Sequence, residues 1–317
     1  MSAEMTTAVN TVLVDCLGVS ADESVVVLTD PKRRAIAEAL IVGARELGAE
    51  AVLVEMSERE THGTEPPPAA AAAMLHCDVF IGPTTKSVSH TAARKAANDN
   101  GARAATMPEI TEDLLIRTMS ADYAEVRRLS RFFAEALTVG SEVHITTALG
   151  SDLTLGIEGR EGISDDGDLR SPGSFGNLPA GEGFIAPVEG TTNGRLVIDG
   201  TMATLDRLRS PLTIEIENGY AVGLSGDRAD ELRLRLERHG REAFAVAELG
   251  IGTNEAAILT GNVLEDEKIL GSIHVAFGDN HTFGGTTRVS SHQDGIVLDP
   301  TLSIDGKTFI DNGKHVI

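Results

Sequence analysis

The residues from 269 to 294 hold the densest set of potential metal ligands in the sequence, with three histidines and two aspartates. His292 and Asp294 are two residues apart, so on an extended strand both side chains leave the same face. His274 lies between Ile273 and Val275, a context typical of a buried strand that would hold a ligand rigidly. Because an imidazole and a carboxylate directed at one point suit a divalent cation, the spacing predicts a metal site. The alternative is that each histidine is a separate core or loop residue.

Two glutamates lie where solvated acids are uncommon. Glu182 lies between two glycines and precedes an apolar run, and Glu248 follows the apolar run 244–247 and precedes Gly250. A charge in such a place needs a partner, because burying it unpaired costs several kcal/mol. The partner is either a metal ion or an arginine, unless the position is a strand end in water.

These two glutamates together with His274, His292 and Asp294 supply three carboxylates and two imidazoles. One cation seldom takes five protein ligands of this mixed kind. Two cations about 3.5–4 Å apart, bridged by a carboxylate and a hydroxide, would use them all. That arrangement activates water and polarises a carbonyl, which is the chemistry of metal-assisted amide hydrolysis. The neighbouring charge run 265–268 is predicted to be a solvated turn, with Lys268 as a candidate to stabilise an oxyanion.

The first half of the chain alternates continuous apolar runs with helical stretches. The runs of strand length are 24–30, 51–56, 78–82 and 102–107, and the helical stretches include 4–18, 31–47 and 121–137. Strands without polar alternation, separated by helices, indicate a parallel sheet covered on both faces. The second of these helices is predicted to begin at Pro31 with Asp30 as its cap. Residues 1–138 are therefore predicted to form an α/β domain, and no G-x-G-x-x-G motif supports dinucleotide binding.

The pattern changes after Gly140. Residues 141–147 and 152–157 alternate in polarity around a short turn, which is typical of a hairpin. Further short strands and glycine turns follow, with one helix between residues 226 and 240. Residues 139–317 are therefore predicted to form a β-rich α+β domain that binds the metal and carries the catalytic site.

Composition excludes several classes of function. A net charge of −21 argues against a nucleic-acid phosphate surface, and an aromatic content of 3% argues against a stacking platform for bases. The sequence has no run of about 18 apolar residues, so no membrane span is predicted. The start of the chain does not resemble a signal peptide. The two cysteines lie in apolar contexts without C-x-x-C spacing, which predicts free thiols in a reducing cytoplasm. A small-molecule or small-peptide substrate is the remaining expectation.

Several motifs resemble those of a known family of metallo-aminopeptidases. They are P-A-G-E-G-F-I-A-P at 179–187, E-L-G-I-G-T-N at 248–254, D-E-K at 266–268 with I-H-V-A-F-G-D-N at 273–280, and H-Q-D at 292–294. These are similar to peptidase family M29, the aminopeptidase T-like enzymes. The resemblance implies a homodimer and two divalent metal ions, Zn, Co or Mn. It also implies the ligands Glu182, Glu248, His274, His292 and Asp294, with Glu248 as the bridging and catalytic carboxylate.

The chain departs from that family at one position. Where the family has a tyrosine shortly after the first histidine motif, this chain has His281, which is predicted to donate a hydrogen bond, to act as a general acid or base, or to be a further ligand. The same superfamily includes 2,5-dihydroxypyridine 5,6-dioxygenase, which holds one Fe(II) with two histidines and one aspartate. His274 or His281 with His292 and Asp294 would supply that triad.

The presence of both glutamates favours an aminopeptidase-like hydrolase that cleaves N-terminal residues of small peptides or a related amide. A mononuclear Fe(II) ring-cleaving dioxygenase is the alternative.

Overall fold

A five-stranded parallel sheet and two antiparallel sheets make up the computed structural model, which describes residues 1–317. The helices are α1 Ala3–Asn10, α2 Arg34–Glu46, α3 Pro68–Leu75, α4 Ala92–Asp99, α5 Glu112–Thr118, α6 Tyr123–Val139, α7 Ala229–Glu237 and α8 Val263–Asp266. A π-helix, Thr11–Cys16, continues α1, and a 3-10 helix spans Arg241–Phe244. None of the helices is long and apolar enough to cross a membrane.

The strands are also numbered in the order in which they occur along the chain. They are β1 Ser24–Thr29, β2 Glu50–Glu55, β3 Val79–Thr84, β4 Arg103–Pro108, β5 Glu142–Thr146, β6 Asp152–Gly156, β7 Ile163–Asp165, β8 Phe175–Asn177, β9 Glu182–Ile185, β10 Asn193–Ile198, β11 Thr201–Met202, β12 Asp206–Arg207, β13 Leu212–Glu217, β14 Tyr220–Gly226, β15 Val246–Gly252, β16 Ile273–Gly278, β17 His292–Val297, β18 Thr301–Ile304, β19 Lys307–Asp311 and β20 Lys314–His315.

The chain divides into two compact units. The first consists of Met1–Arg127 and Gly167–Ala180, and the second of Arg128–Asp166 and Gly181–Ile317. The stretch 167–180, which the sequence assigns to the second domain, thus lies in the first unit. The predicted division into domains 1–138 and 139–317 stays a prediction.

The first unit contains the parallel sheet, in the order β2-β1-β3-β4-β8. Its central strands are buried on both faces, which explains their continuous apolar sequence. Asp30 does not start α2 as predicted: its carboxylate accepts hydrogen bonds from the backbone N of Lys32 at 3.0 Å and of Thr85 at 2.5 Å. The helix therefore begins only at Arg34, since the turn after β1 is held to the end of β3.

The second unit contains two antiparallel sheets. The eight-stranded sheet has the order β14-β13-β10-β6-β5-β18-β19-β20, and the seven-stranded sheet has the order β12-β11-β17-β16-β15-β9-β7. One continuous apolar core receives side chains from both, such as Leu153 and Leu196 from the first and Leu249 and Val275 from the second. The predicted α/β half followed by a β-rich half is confirmed.

Candidate metal centre

All five predicted ligands lie on neighbouring strands of the seven-stranded sheet. They are Glu182 on β9, Glu248 on β15, His274 on β16, and His292 and Asp294 on β17. In the register, Ala276 on β16 pairs with Glu248 on one side and with Asp294 on the other. Because side chains alternate along a strand, His274 leaves β16 on the same face as Ala276. The pairing of β9, β15, β16 and β17 therefore brings the ligands to one face of the sheet.

Small residues occupy several positions of that face beside the ligands. Gly250 pairs with His274 and Gly278 pairs with His292, and Ala276 lies between them. A Cβ on Gly250 would lie 2.0 Å from Cε1 of His274, so only glycine leaves room for the imidazole. The opposite face carries buried apolar side chains of the core, namely Leu249, Ile251, Ile273, Val275 and Phe277. The core thus fixes the strands while the glycines open a space for the ligands.

Glu248 lies between the two imidazoles. Its Oε1 is 3.2 Å from Nε2 of His274, and its Oε2 is 3.4 Å from Nε2 of His292. Nε2 of His292 is also 3.2 Å from Oδ1 of Asp294, and Nε2 of His274 is 3.1 Å from Oε2 of Glu182. Both imidazoles therefore present Nε2 to a pair of carboxylates.

The orientation of His292 fits a metal ligand. Its Nδ1 donates a hydrogen bond to the carbonyl oxygen of Asp279 at 2.8 Å, because a carbonyl can only accept. In the neutral ring, Nε2 therefore carries a lone pair and faces oxygens of Asp294 and Glu248 that also carry lone pairs. A cation between them relieves this repulsion. A metal-bound histidine usually donates a hydrogen bond from its other ring nitrogen to a carbonyl or carboxylate oxygen, as Nδ1 does here.

A second observation supports the same fit. Oε2 of Glu182 and Nδ1 of His274 are buried without a hydrogen-bond partner. Burial lowers the pKa of His274, but Glu182 and Glu248 outweigh burial and raise it well above its ordinary value. Burial likewise lowers the pKa of His292, and Asp294 and Glu248 raise it by more. The carboxylates that favour a proton on these imidazoles equally favour a divalent cation in its place.

The charge run 265–268 is buried, so the prediction of a solvated turn is wrong. Glu265 and Asp266 lie in and around α8 with no exposed surface, and Lys268 is 1% exposed. The carboxylate of Asp266 accepts hydrogen bonds from Oγ1 of Thr201 and from the backbone N of Thr260, at 2.5 and 2.8 Å. For Asp266, hydrogen bonds inside the protein therefore replace the contact with water that the sequence pattern predicted.

Lys268 extends the ligand cluster in a way that the sequence did not predict. Its Nζ contacts Oε1 of Glu182, and it lies 2.9 Å from Oε1 of Glu267 and 3.1 Å from Oδ2 of Asp165. Glu267 is a further candidate ligand, because its carboxylate can meet one metal ion together with His274 and Asp294. The charge run next to a buried strand was a signal for Lys268 and Glu267. Asp165, on the short edge strand β7, gave no such signal.

Burial dominates the acid–base behaviour of these added carboxylates. It raises the pKa of Glu267 to about 8, with Lys268 offsetting only part of the effect. It raises the pKa of Asp165 to about 6 in the same way. Burial also raises the pKa of Glu182, but Lys268 and His274 together outweigh it and lower the pKa to about 2. Glu182 is thus the carboxylate that the surrounding cations hold ionised.

His281 does not join the ligand cluster. Its Nδ1 lies 2.8 Å from the carboxylate of Asp279, its side chain is about a third exposed, and no hydrogen bond or ion pair links it to any of the five predicted ligands. The backbone carbonyl of Asp279 supports His292, so the two histidines share one neighbour. The catalytic role of His281 stays a prediction.

The loop between β16 and β17 places an aromatic ring beside the ligands. The ring of Phe283 packs edge to face on His292 with centroids 5.9 Å apart, and on Phe184 with centroids 5.7 Å apart. The loop is held by Glu189, whose carboxylate pairs with Arg160 and accepts from the backbone N of Thr286 at 2.6 Å. One phenylalanine therefore packs on the histidine ligand and a second packs on the first, in a chain that has few aromatic residues.

We expect Glu189→Gln to loosen this loop. The amide keeps the shape of the side chain but loses the ion pair with Arg160, and it accepts the hydrogen bond from Thr286 more weakly. Hydrogen exchange at the Thr286 amide should accelerate about tenfold, which corresponds to ~1.4 kcal/mol. Glu215→Gln, which breaks an exposed pair with Arg195 on the other sheet, is the matched control. Unchanged exchange at Thr286 would show that the loop is held by other contacts.

The chain is similar to known proteins in sequence and in fold. The family model described as NicX: 2,5-dihydroxypyridine 5,6-dioxygenase matches residues 4–317. A curated 2,5-dihydroxypyridine 5,6-dioxygenase from Pseudomonas putida KT2440 is 24% identical over 188 residues, which is 55% of this chain and 54% of that protein. The alignment thus spans about half the length of this relative.

Two solved structures share the fold over nearly the whole chain. The 2,5-dihydroxypyridine dioxygenase from Pseudomonas putida KT2440 superposes with a TM-score of 0.84 at 21% identity, covering 100% of this chain and 98% of that one. Wild-type AmpT from Thermus thermophilus superposes with a TM-score of 0.73 at 16% identity, covering 99% of both chains. At these identities the structural likeness establishes the fold. Together the matches support an enzyme with the fold that this dioxygenase and AmpT share.

Proposed function

This chain belongs to the 2,5-dihydroxypyridine 5,6-dioxygenase family, and we propose that it is a mononuclear Fe(II) dioxygenase that cleaves a hydroxylated, pyridine-like ring. The observation that carries the proposal is the match to this family along residues 4–317. The metal centre is consistent with it, because two imidazoles and one carboxylate are the ligand set typical of non-haem Fe(II) oxygenases. The dioxygenase is thus better supported than the hydrolase that the two glutamates favoured.

His274, His292 and Asp294 are the residues that would bind the iron. Bound Fe(II) would supply the redox chemistry with dioxygen that ring cleavage requires. The Asp279 carbonyl holds the His292 ring so that Nε2 faces the site, and Glu248 contacts Nε2 of both imidazoles. Both imidazoles therefore direct Nε2 toward the same carboxylate, that of Glu248.

The aromatic border of the site suits a flat substrate. Phe283 packs edge to face on His292, and Phe184 packs edge to face on Phe283. A planar heteroaromatic ring can pack on such edges with favourable geometry.

A dinuclear hydrolase of the aminopeptidase type is the second candidate. It is favoured by the position of Glu248 between the two imidazoles and by the grouping of Glu182, Glu248 and His274 within reach of one ion. Such an enzyme would hold two ions of Zn, Co or Mn and cleave aminoacyl amides or small peptides. The homodimer implied by the sequence resemblance stays a prediction for either candidate.

Metal content and reaction type together test the proposal. The protein is loaded anaerobically with Fe(II), or separately with zinc, cobalt or manganese, and dialysed before metal is measured by inductively coupled plasma mass spectrometry. We expect close to one iron per chain, and consumption of dioxygen only when 2,5-dihydroxypyridine or a related ring is supplied. About two ions per chain with hydrolysis of aminoacyl amides and no dioxygen uptake would assign the hydrolase instead.

A further inference from the structure

Lys268 is a buried cation at the edge of the metal centre. Its side chain is 1% exposed, and burying an ammonium group costs several kcal/mol unless carboxylates surround it. Three carboxylates do so, from Glu182, Glu267 and Asp165. Oxygen ligands gathered from separate strands and loops around one positive charge are also what a protein provides for a divalent cation.

Glu182 connects this ammonium to the metal ligands. Its Oε1 contacts Nζ of Lys268, whereas its Oε2 lies 3.1 Å from Nε2 of His274 and has no hydrogen-bond partner. In a two-metal centre a carboxylate commonly bridges two cations, one on each oxygen. Here the protein itself supplies the cation on one side of the bridge, and the histidine ligand lies on the other.

Charge repulsion makes the two cations exclusive. An ammonium and a divalent ion held by the same oxygen of Glu182 would repel each other strongly in a buried, low-dielectric site. The remaining partners of Lys268, Glu267 and Asp165, are already engaged by the ammonium at 2.9 and 3.1 Å. A second metal ion bound by these three carboxylates would therefore have to displace Lys268 from them.

We propose that Lys268 occupies the position that a second divalent cation would take, and thereby limits this centre to one metal ion. The inference rests on the proposed mononuclear function and gives it a structural cause. It assigns to Lys268 a positioning role that acts through Glu182, rather than contact with substrate.

The test is to remove the charge and count metal ions. In Lys268→Met the side chain keeps its length and loses its ammonium, which leaves Glu182, Glu267 and Asp165 free to bind a cation. After loading with Mn²⁺ and dialysis, we expect about one ion per wild-type chain and about two per variant chain. Electron paramagnetic resonance should show isolated Mn²⁺ in the wild type and exchange-coupled Mn²⁺ pairs in the variant. Lys268→Arg, which keeps the charge, should stay at one ion.

A second variant tests the inference if Lys268→Met does not fold. In the double variant Lys268→Met/Glu267→Gln the ammonium and the carboxyl group that lies 2.9 Å from it are removed together, so fewer buried groups are left without a partner. Glu182 and Asp165 remain, and this variant should also gain a second Mn²⁺, with weaker affinity. A folded variant that still holds one ion, or that loses the first ion, would overturn the inference.

The outcomes separate this inference from the proposed function. Wild-type protein with one iron and ring cleavage, together with variants that never gain an ion, would refute the role of Lys268 and leave the dioxygenase intact. Wild-type protein with two metal ions beside an unmodified Lys268 would refute the inference directly. One ion in the wild type, two in Lys268→Met, and no ring cleavage would support the role of Lys268 and refute the dioxygenase.

Discussion

His292→Ala is expected to release the metal ion and abolish turnover together. The substitution removes Nε2, which lies 3.2 Å from Oδ1 of Asp294 and 3.4 Å from Oε2 of Glu248, so the metal ion loses a ligand and both carboxylates lose a neighbour. Loss of an outer-shell partner alone weakens metal binding by about 10–100-fold, so loss of the ligand itself should weaken it by at least about 100-fold. Metal content after dialysis and initial rate at saturating Fe(II) measure the two effects.

A matched histidine outside the site provides the control. His144 lies on β5 of the eight-stranded sheet, is about half exposed, and pairs with Asp152 at 2.8 Å. His144→Ala removes the same side chain and should leave metal content unchanged. If His292→Ala kept both its metal and its full rate, the metal centre would have to lie elsewhere.

The parallel sheet of the first unit was predictable because its strands are buried on both faces. Val25, Val27, Phe80 and Ile81 are fully or almost fully buried, and a strand in that position reads as a continuous apolar run. The fifth strand, β8, was not predictable. It is three residues long, Phe175–Asn177, and pairs with β4 from a stretch of chain with no apolar run of its own. Its place is set by tertiary pairing rather than by local sequence.

The candidate site was predictable in its members but not in its charge balance. The alternation in β16, where His274, Ala276 and Gly278 face one way and apolar residues face the other, is a local pattern that sequence can reveal. The partners of Lys268 come from β7, from β9 and from the adjacent residue Glu267. Their convergence depends on the order of strands in the sheet, which the spacing of residues along the chain does not determine.

Gly250→Ala is expected to damage the same site from the opposite strand. Gly250 lies across from His274, and its Cβ would be 2.0 Å from Cε1 and 2.1 Å from Nε2 of that ring. The ring is fully buried, so it can yield only by leaving its position beside Glu248. Forcing one methyl group into such a packed site costs about 1–3 kcal/mol, and here it also displaces a ligand atom. Both the free energy of unfolding and metal affinity should fall.

Gly223→Ala is the control that distinguishes a steric clash at Gly250 from a general intolerance of alanine in these sheets. Gly223 on β14 does not require a left-handed backbone, and its Cβ would meet Glu215 Cβ at an ordinary 3.4 Å. Gly223→Ala should therefore be neutral or stabilise by up to about 1 kcal/mol, because alanine loses less backbone entropy than glycine on folding. Denaturant unfolding and metal titration of the two variants make the comparison. Equal stability and equal metal affinity in both would mean that His274 does not occupy the space opposite Gly250, and the ligand set would then lose its most deeply buried member.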